Sequence, residues 1–287
     1  MSALAPAPRR PWTVRATAGH LLGLAVAALF VAPVAWTALA SLKPAAESGL
    51  PPLPPWPTTG TSLENYAALN NLSGGFLTSA MNSIGVAVAT TLLTAVVSLL
   101  AGYGFSRHRF PFEGLCFLLV LATIMIPFQS IVTPIFLILS TLRLQNSLVG
   151  LTLVYVTLQL PFAVFMMRNS FDAVPKEIEE AARMDGANSL QMLVLALLPL
   201  VWPGLVTVGL FAFLNSWNEF FGALVLLSDQ SKYTLPIMVA AVQSGRFGAV
   251  NWGAVQAGVT VMMIPCLILF LLLQRFYIRG LTAGAVK

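Results

Sequence analysis

Six stretches of this chain carry no Asp, Glu, Lys or Arg: Ala16 to Leu42, Asn65 to Ser106, Gly114 to Leu142, Leu144 to Met167, Gly186 to Asn218 and Phe247 to Gln274. Each holds the roughly 20 apolar residues that cross a bilayer core as a helix. Pro33, Pro127, Pro134, Pro161, Pro203 and Pro265 fall inside these runs. Such prolines are tolerated in a membrane, where neighbouring helices re-satisfy the freed backbone groups. Only 9% of the residues are charged and 57% are hydrophobic, against about 25% charged in a soluble domain, so too little polar surface remains to keep the chain in water. The pattern predicts an all-α, polytopic membrane protein: one transmembrane domain over residues 1–287 with six helices and no strands. The expected spans are His20–Leu42, Met81–Phe105, Leu115–Ile138, Val149–Met167, Leu193–Leu214 and Val250–Leu273.

Basic residues near span ends are retained on the cytoplasmic side. With the amino terminus inside, Lys43, Arg143, Lys232 and Arg246 fall outside and the other 11 of the 15 Lys and Arg residues fall inside. Both termini are therefore expected in the cytoplasm. The net charge of +5 reflects this topology and gives no reason to expect nucleic acid as a partner. Arg9, Arg10 and Arg15 precede an apolar stretch ending in Ala38-Leu39-Ala40, as in a signal peptide, but the stretch exceeds the usual 7–15 residue signal core. An uncleaved anchor is the better reading. Cys116 and Cys266 lie inside predicted spans without metal or redox spacing, and read as small buried hydrophobes.

The loops carry the rest of the information. Lys43 to about Ala80 contains Leu50-Pro51-Pro52-Leu53-Pro54-Pro55-Trp56-Pro57 and reads as an extended external linker. Arg107-His108-Arg109 forms a basic turn that suits anionic headgroups or a protein, with no role assigned beyond topology. Pro175 through Leu190, within a loop of about residues 172–192, reads as a short helix, a turn and a second helix entering the membrane. Pro175 suits the first turn, Glu177, Glu179 and Glu180 suit the positive amino-terminal end, and Gly186 permits the left-handed residue that ends a helix. From the residues alone, a passive amphipathic connector lying on the bilayer is equally open. Trp217-Asn218-Glu219-Phe220-Phe221 precedes Gly222–Leu227, which is too short to span. It leaves two readings: a lining of the substrate path or a contact for an external protein, as for Gln243 in the polar stretch Ser228 to Trp252, or an interfacial Trp anchor beside a solvated Glu.

Glu180-Ala181-Ala182, Asp185-Gly186-Ala187 and Leu198-Pro199 resemble the signature cytoplasmic loop of ABC importer permeases. The family has an aliphatic residue two positions before that Leu-Pro, where this chain has Ala196. Met81-Asn82-Ser83, Ala101-Gly102-Tyr103, Ser216-Trp217-Asn218-Glu219-Phe220 and the ending Arg279–Lys287 extend the likeness over most of the chain, to the smaller permease of maltose-type sugar importers. The resemblance implies the type I importer permease fold in a bacterial inner membrane. It also implies a second permease, two cytoplasmic ATPases and an extracytoplasmic sugar-binding protein as partners. Glu180 would then make polar contact with an ATPase, Ala181 and Ala182 would permit close docking, and Gly186 would supply the turn, with Asp185 part of the same coupling loop. Leu198 and Pro199 would pack where the fifth span enters the membrane. The small, polar tail after Arg279 leaves two readings, a further ATPase contact or a frayed terminus. No Gly-x-x-x-x-Gly-Lys-Ser/Thr phosphate loop occurs, so no cofactor, metal or catalytic residue is expected and ATP would be hydrolysed by partners. A proton- or sodium-driven transporter is disfavoured because the six central runs hold no ionisable Asp, Glu or Lys, the groups that mark ion relays at membrane depth. A purely structural scaffold would not need the Glu180–Gly186 loop.

Overall fold

The computed structural model describes residues 14–49, 53–71 and 75–283. The basic stretch with Arg9 and Arg10, residues 50–52 of the proline run and tail residues 284–287 lie outside that description. Among the described residues there are helices and no strands. Five helical stretches are long and apolar enough to cross a membrane: Thr17–Ser41, Phe76–Arg107, Leu148–Asp172, Ser189–Asn218 and Trp252–Leu272. The chain order is α1 (Val14–Ser41), α2 (Glu64–Asn70), α3 (Phe76–Arg107), α4 (Glu113–Ala122), α5 (Phe128–Thr141) and α6 (Leu148–Asp172), then α7 (Lys176–Met184), α8 (Ser189–Gln191), α9 (Leu198–Asn218), α10 (Phe221–Leu226), α11 (Leu235–Gln243) and α12 (Trp252–Ala283).

The third expected span, Leu115–Ile138, is not one straight helix. It is a broken pair, Glu113–Met125 and Phe128–Thr141, bent by 105°. Pro127 disfavours the α conformation in the residue before it, and Ile126 is extended, with φ −84° and ψ 115°. The other five intramembrane prolines stay inside their helices. Pro199 follows a π-helical stretch, Met192–Leu197, which closes with the Leu198 N–H donating to the Leu193 carbonyl five residues back. Widening the helix there suits a position where a proline removes one rung of the ladder.

α3 sits at the centre and packs against α6 and α9, while α1 lies against α12. The buried face of α3 is made of Ser79, Ser83, Ala87, Thr90, Thr94, Ser98 and Gly102 together with Val86. These positions recur every three or four residues, so a stripe of small side chains lets neighbouring backbones approach closely, which is how helices associate where lipid supplies no hydrophobic drive. A Cβ built on Gly102 would lie 2.6 Å from the Met167 Cβ and 2.9 Å from the Arg168 nitrogen of α6. Cys116 is exposed on the surface of the chain, so the expectation of a buried thiol fails there, while Cys266 is half-buried and packs against the cluster of Ala87, Trp217 and Leu235.

The segment after α1 is not an extended linker. Asn65 is buried, and its Nδ2 donates to the carbonyls of Ser41 (2.9 Å) and Lys43 (2.7 Å). Lys43 is itself buried, with Nζ donating to the Pro54 carbonyl at 2.8 Å. α2 packs on α12, where a Cβ on Gly253 would lie 2.1 Å from the Asn65 Oδ1. Glu47 accepts from the Thr59 hydroxyl and from the amides of Thr58 (3.0 Å) and Thr59 (2.9 Å). The Thr59 hydroxyl first, then the Thr58 amide, hold its carboxyl down at about 2, below the ordinary 4.5. A depressed carboxylate contributes stability above its unfolded pKa that is lost as pH falls through the folded one. Hydrogen-exchange protection at Thr58 and Thr59 should therefore hold from pH 7 to about 4.5 and decline toward about 2, and Glu47→Gln should abolish that decline.

Candidate functional site

Two parts of the chain concentrate polar chemistry, one at each end of the bundle. At the first, α7 follows Pro175, which stands as the residue just ahead of the helix. The helix is amphipathic, and its one buried acid is Glu179. The Arg107 Nε, from the last residue of α3, donates to the Glu179 carboxylate, and both side chains are only 7% exposed. The same guanidinium donates to the Val174 carbonyl and to the Ser106 hydroxyl, each at 2.9 Å. Ser106 in turn donates to Asp172 at the end of α6. Arg107 thus ties three elements together, α3, the end of α6 and α7, and its role exceeds topology.

α7 ends in a Schellman turn. The Gly186 N–H donates to the Arg183 carbonyl and the Ala187 N–H to the Ala182 carbonyl, both at 3.0 Å, with Gly186 at φ +82°. This paired pattern with a left-handed residue needs glycine at that position. Asn188 then caps α8 through a capping box: the Gln191 amide donates to Asn188 Oδ1 at 2.9 Å, and the Asn188 amide to Gln191 Oε1 at 3.0 Å. Below the turn lies a core of Met167, Phe171, Val174, Met192, Leu193, Leu197 and Val201, against which Ala182, Ala196 and Leu198 pack. Ala196, the departure from the family pattern, therefore sits at a packing position with a smaller side chain. Glu180, Ala181, Asp185, Gly186 and Pro199 are exposed, as are Met184 and Leu190. The helix is fixed from behind and presents acidic, small and apolar groups in front.

At the far end, the Trp217–Glu219 run splits three ways. Trp217 is 2% exposed, and its Nε1 donates to the Met262 carbonyl of α12 at 3.0 Å. It is a core residue joining α9 to α12, neither an interfacial anchor nor a wall of a path. Asn218 is exposed, donates to the Leu214 carbonyl at 2.8 Å, and borders a cleft of about 320 Å³ with Val34, Met262 and Cys266. Glu219 is half-buried, with its carboxylate bonded to protein groups. It accepts from the Tyr155 hydroxyl of α6 and from the amides of Gly222 (2.8 Å) and Ala223 (3.2 Å). One carboxylate thereby satisfies the free amides at the start of α10 and anchors that helix to α6. Gln243 ends α11 and is exposed; among the described residues no hydrogen bond joins it to the other three. Glu219→Ala should leave these groups unpaired at about 1–3 kcal/mol each and lower the thermal unfolding midpoint, with Glu219→Gln intermediate because it keeps one acceptor oxygen.

Asn82 and Ser83 had no role assigned beyond a motif match. Asn82 Nδ2 donates to the carbonyls of Ser231 (2.9 Å) and Tyr233 (3.1 Å), and the Leu235 amide donates to Ser83 Oγ at 2.7 Å. They hold the loop before α11 against α3. The pairing of Arg107 with Glu179 and that of Tyr155 with Glu219 are likewise not legible in the sequence, since the partners lie 64 or more residues apart.

The chain matches the family model described as binding-protein-dependent transport system inner membrane component over residues 94–282. It is 35% identical over 257 residues to the diacetylchitobiose uptake system permease protein DasC of Streptomyces coelicolor, covering 90% of this chain and 92% of that one. It is 34% identical over 274 residues to the trehalose transport system permease protein SugB of Mycobacterium tuberculosis, covering 95% and 98%. A chain in the crystal structure of a bacterial ABC transporter involved in the import of the acidic polysaccharide alginate shares the fold, with a TM-score of 0.77 at 23% identity over 95% of this chain and 100% of that one. The chain belongs to the binding-protein-dependent transport system inner membrane components and is an ABC transporter permease subunit with the type I importer permease fold.

Proposed function

We propose that this chain is one of two permeases in an ATP-driven carbohydrate importer and that α7 is the helix through which cytoplasmic ATPases move it. The observation that carries the coupling role is the docking of α7. Its back is fastened by the buried Arg107–Glu179 pair, and its front leaves Glu180, Ala181, Met184 and Asp185 free. A helix tied at once to α3 and to the end of α6 transmits a push at its exposed face into the spans. Carbohydrate as cargo is supported by the relatives, whose names include diacetylchitobiose and trehalose carriers. The full assembly in this reading has a second permease, two ATPases that bind and hydrolyse the ATP, and an extracytoplasmic binding protein. α7 and both termini face the cytoplasm, in line with the distribution of Lys and Arg. Nucleotide-driven closure of the ATPases then biases a two-state rocking of the spans.

The test is co-expression with the partner subunits, comparing native chain with Glu180→Lys and Gly186→Pro. Proline fixes φ near −65° and cannot adopt the +82° of Gly186. Both variants should insert normally yet lose the ATPases or most of the sugar-stimulated ATP hydrolysis. Native behaviour in both would make α7 a passive connector and reopen an ion-driven mechanism.

A further inference from the structure

α6 and α9 run antiparallel, and their contacts form a ladder of side-chain pairs. From the far end toward α7 these are Tyr155 with Glu219, Gln159 with Asn215, Phe162 with Phe211, and Ser170 against Gly204. The second rung is a pair of neutral amides inside two spans. Asn215 Nδ2 donates to Gln159 Oε1 at 3.0 Å. Neither side chain makes another hydrogen bond among the described residues, so the Gln159 amino group, the Asn215 carbonyl oxygen and one Asn215 N–H stay free. Asn215 is exposed and Gln159 half-buried. One turn further along, the rings of Phe162 and Phe211 meet edge to face with centroids 5.3 Å apart, Phe211 being 37% exposed.

Free amides at the surface of a span do not face hydrocarbon, where an unpaired polar group is costly. They face water or a polar partner. The neighbouring carboxylate, Glu219, is already occupied by Tyr155 and two backbone amides, so the rung presents neutral donors and acceptors beside aromatic surface and no free charge. That combination suits a neutral sugar ring, whose hydroxyls both donate and accept and whose C–H faces lie on aromatic rings. We infer that Gln159 and Asn215, with Phe162 and Phe211, form a carbohydrate-contact site on the translocation path of this subunit. The inference rests on the carbohydrate reading above and goes beyond it by assigning the residues. With only two amides the site is built for passage, while retention belongs to the binding protein.

The complete transporter, with native Cys116 and Cys266 replaced by Ser and Ala, is reconstituted and given trehalose, maltose and N,N′-diacetylchitobiose as radiolabelled probes. Single Gln159→Cys and Asn215→Cys variants are treated with a membrane-impermeant methanethiosulfonate. Both should be modified, and the sugar that the complex carries should slow modification several-fold. Asn215→Leu should reduce uptake about tenfold, the scale of one lost hydrogen bond to substrate, while the subunits still co-purify and Asn215→Gln restores most of the uptake. Absence of modification would mean that the amides pack against lipid or the second permease, and would overturn the assignment. Modification that the carried sugar does not slow would overturn it too, leaving a wet path without a sugar contact. A native complex that takes up none of the sugars would remove the carbohydrate reading itself, an outcome separable from failure of the site alone.

Discussion

Glu179→Ala is expected to free α7 from the body of the protein. The carboxylate is buried against Arg107, and breaking one half of a buried pair costs about 3–5 kcal/mol because the other charge is left uncompensated. The loss should be local: faster hydrogen exchange for the amides of Lys176–Met184, with the transmembrane helices still protected. Arg107→Ala should be at least as damaging, since it strands Glu179 and also removes the donor to the Val174 carbonyl. Replacing both partners with apolar residues of similar size should be much milder than either single change, because the desolvation cost of the pair then vanishes with its attraction. The coupled readout is ATPase retention. If Glu179→Ala kept native exchange in α7 and native ATPase binding, the fastening role of the pair would be wrong.

Gly102→Ala should be a damaging methyl addition at the crossing of α3 and α6. The new Cβ meets the Met167 Cβ at 2.6 Å and α6 backbone atoms at 2.9 Å, and no side-chain rotation relieves a clash with backbone. Overpacking of this kind costs about 1–3 kcal/mol, here toward the upper end, and should appear as a lowered thermal unfolding midpoint in detergent. Gly204→Ala provides the contrast. Its Cβ would lie 2.1 Å from the Ser170 Oγ and 3.0 Å from the Ser170 Cβ, an obstruction made by one short side chain. Ser170→Gly should therefore rescue Gly204→Ala, and no single side-chain truncation should rescue Gly102→Ala. Equal losses for the two glycines would argue against a backbone-limited crossing of α3 and α6.

The spans were legible because each depends on one local requirement, a long enough uncharged apolar run. The boundaries were less so. The fourth span was expected over Val149–Met167, and its helix continues through the polar residues to Asp172, since a helix does not stop where the bilayer does. The third failed for a different reason. Hydropathy reports whether residues accept lipid, not whether the axis stays straight, and Pro127 sits in a run as apolar as those around Pro161 and Pro265, which remain helical. At the candidate site, Gly186 and its turn were readable because a left-handed helix end is encoded by neighbouring residues. The Trp217–Glu219 run was not, because its three side chains leave in different directions to α12, to an open cleft and to α6.

Taken by itself, the sequence determined that the chain crosses a membrane, which stretches are apolar enough to do so, and which loop holds a capped helix. All of these follow from transfer free energy and backbone geometry acting within about 20 consecutive residues. Only the tertiary structure decided that Arg107 closes on Glu179, that Tyr155 and Glu219 anchor α10, that Asn65 and Lys43 are buried in a folded segment, and that Gln159 and Asn215 stand together on an exposed seam. Those pairings join residues far apart in the chain. Their register is set where small residues let helices meet, and a polar group inside the membrane takes whichever partner that register brings within reach.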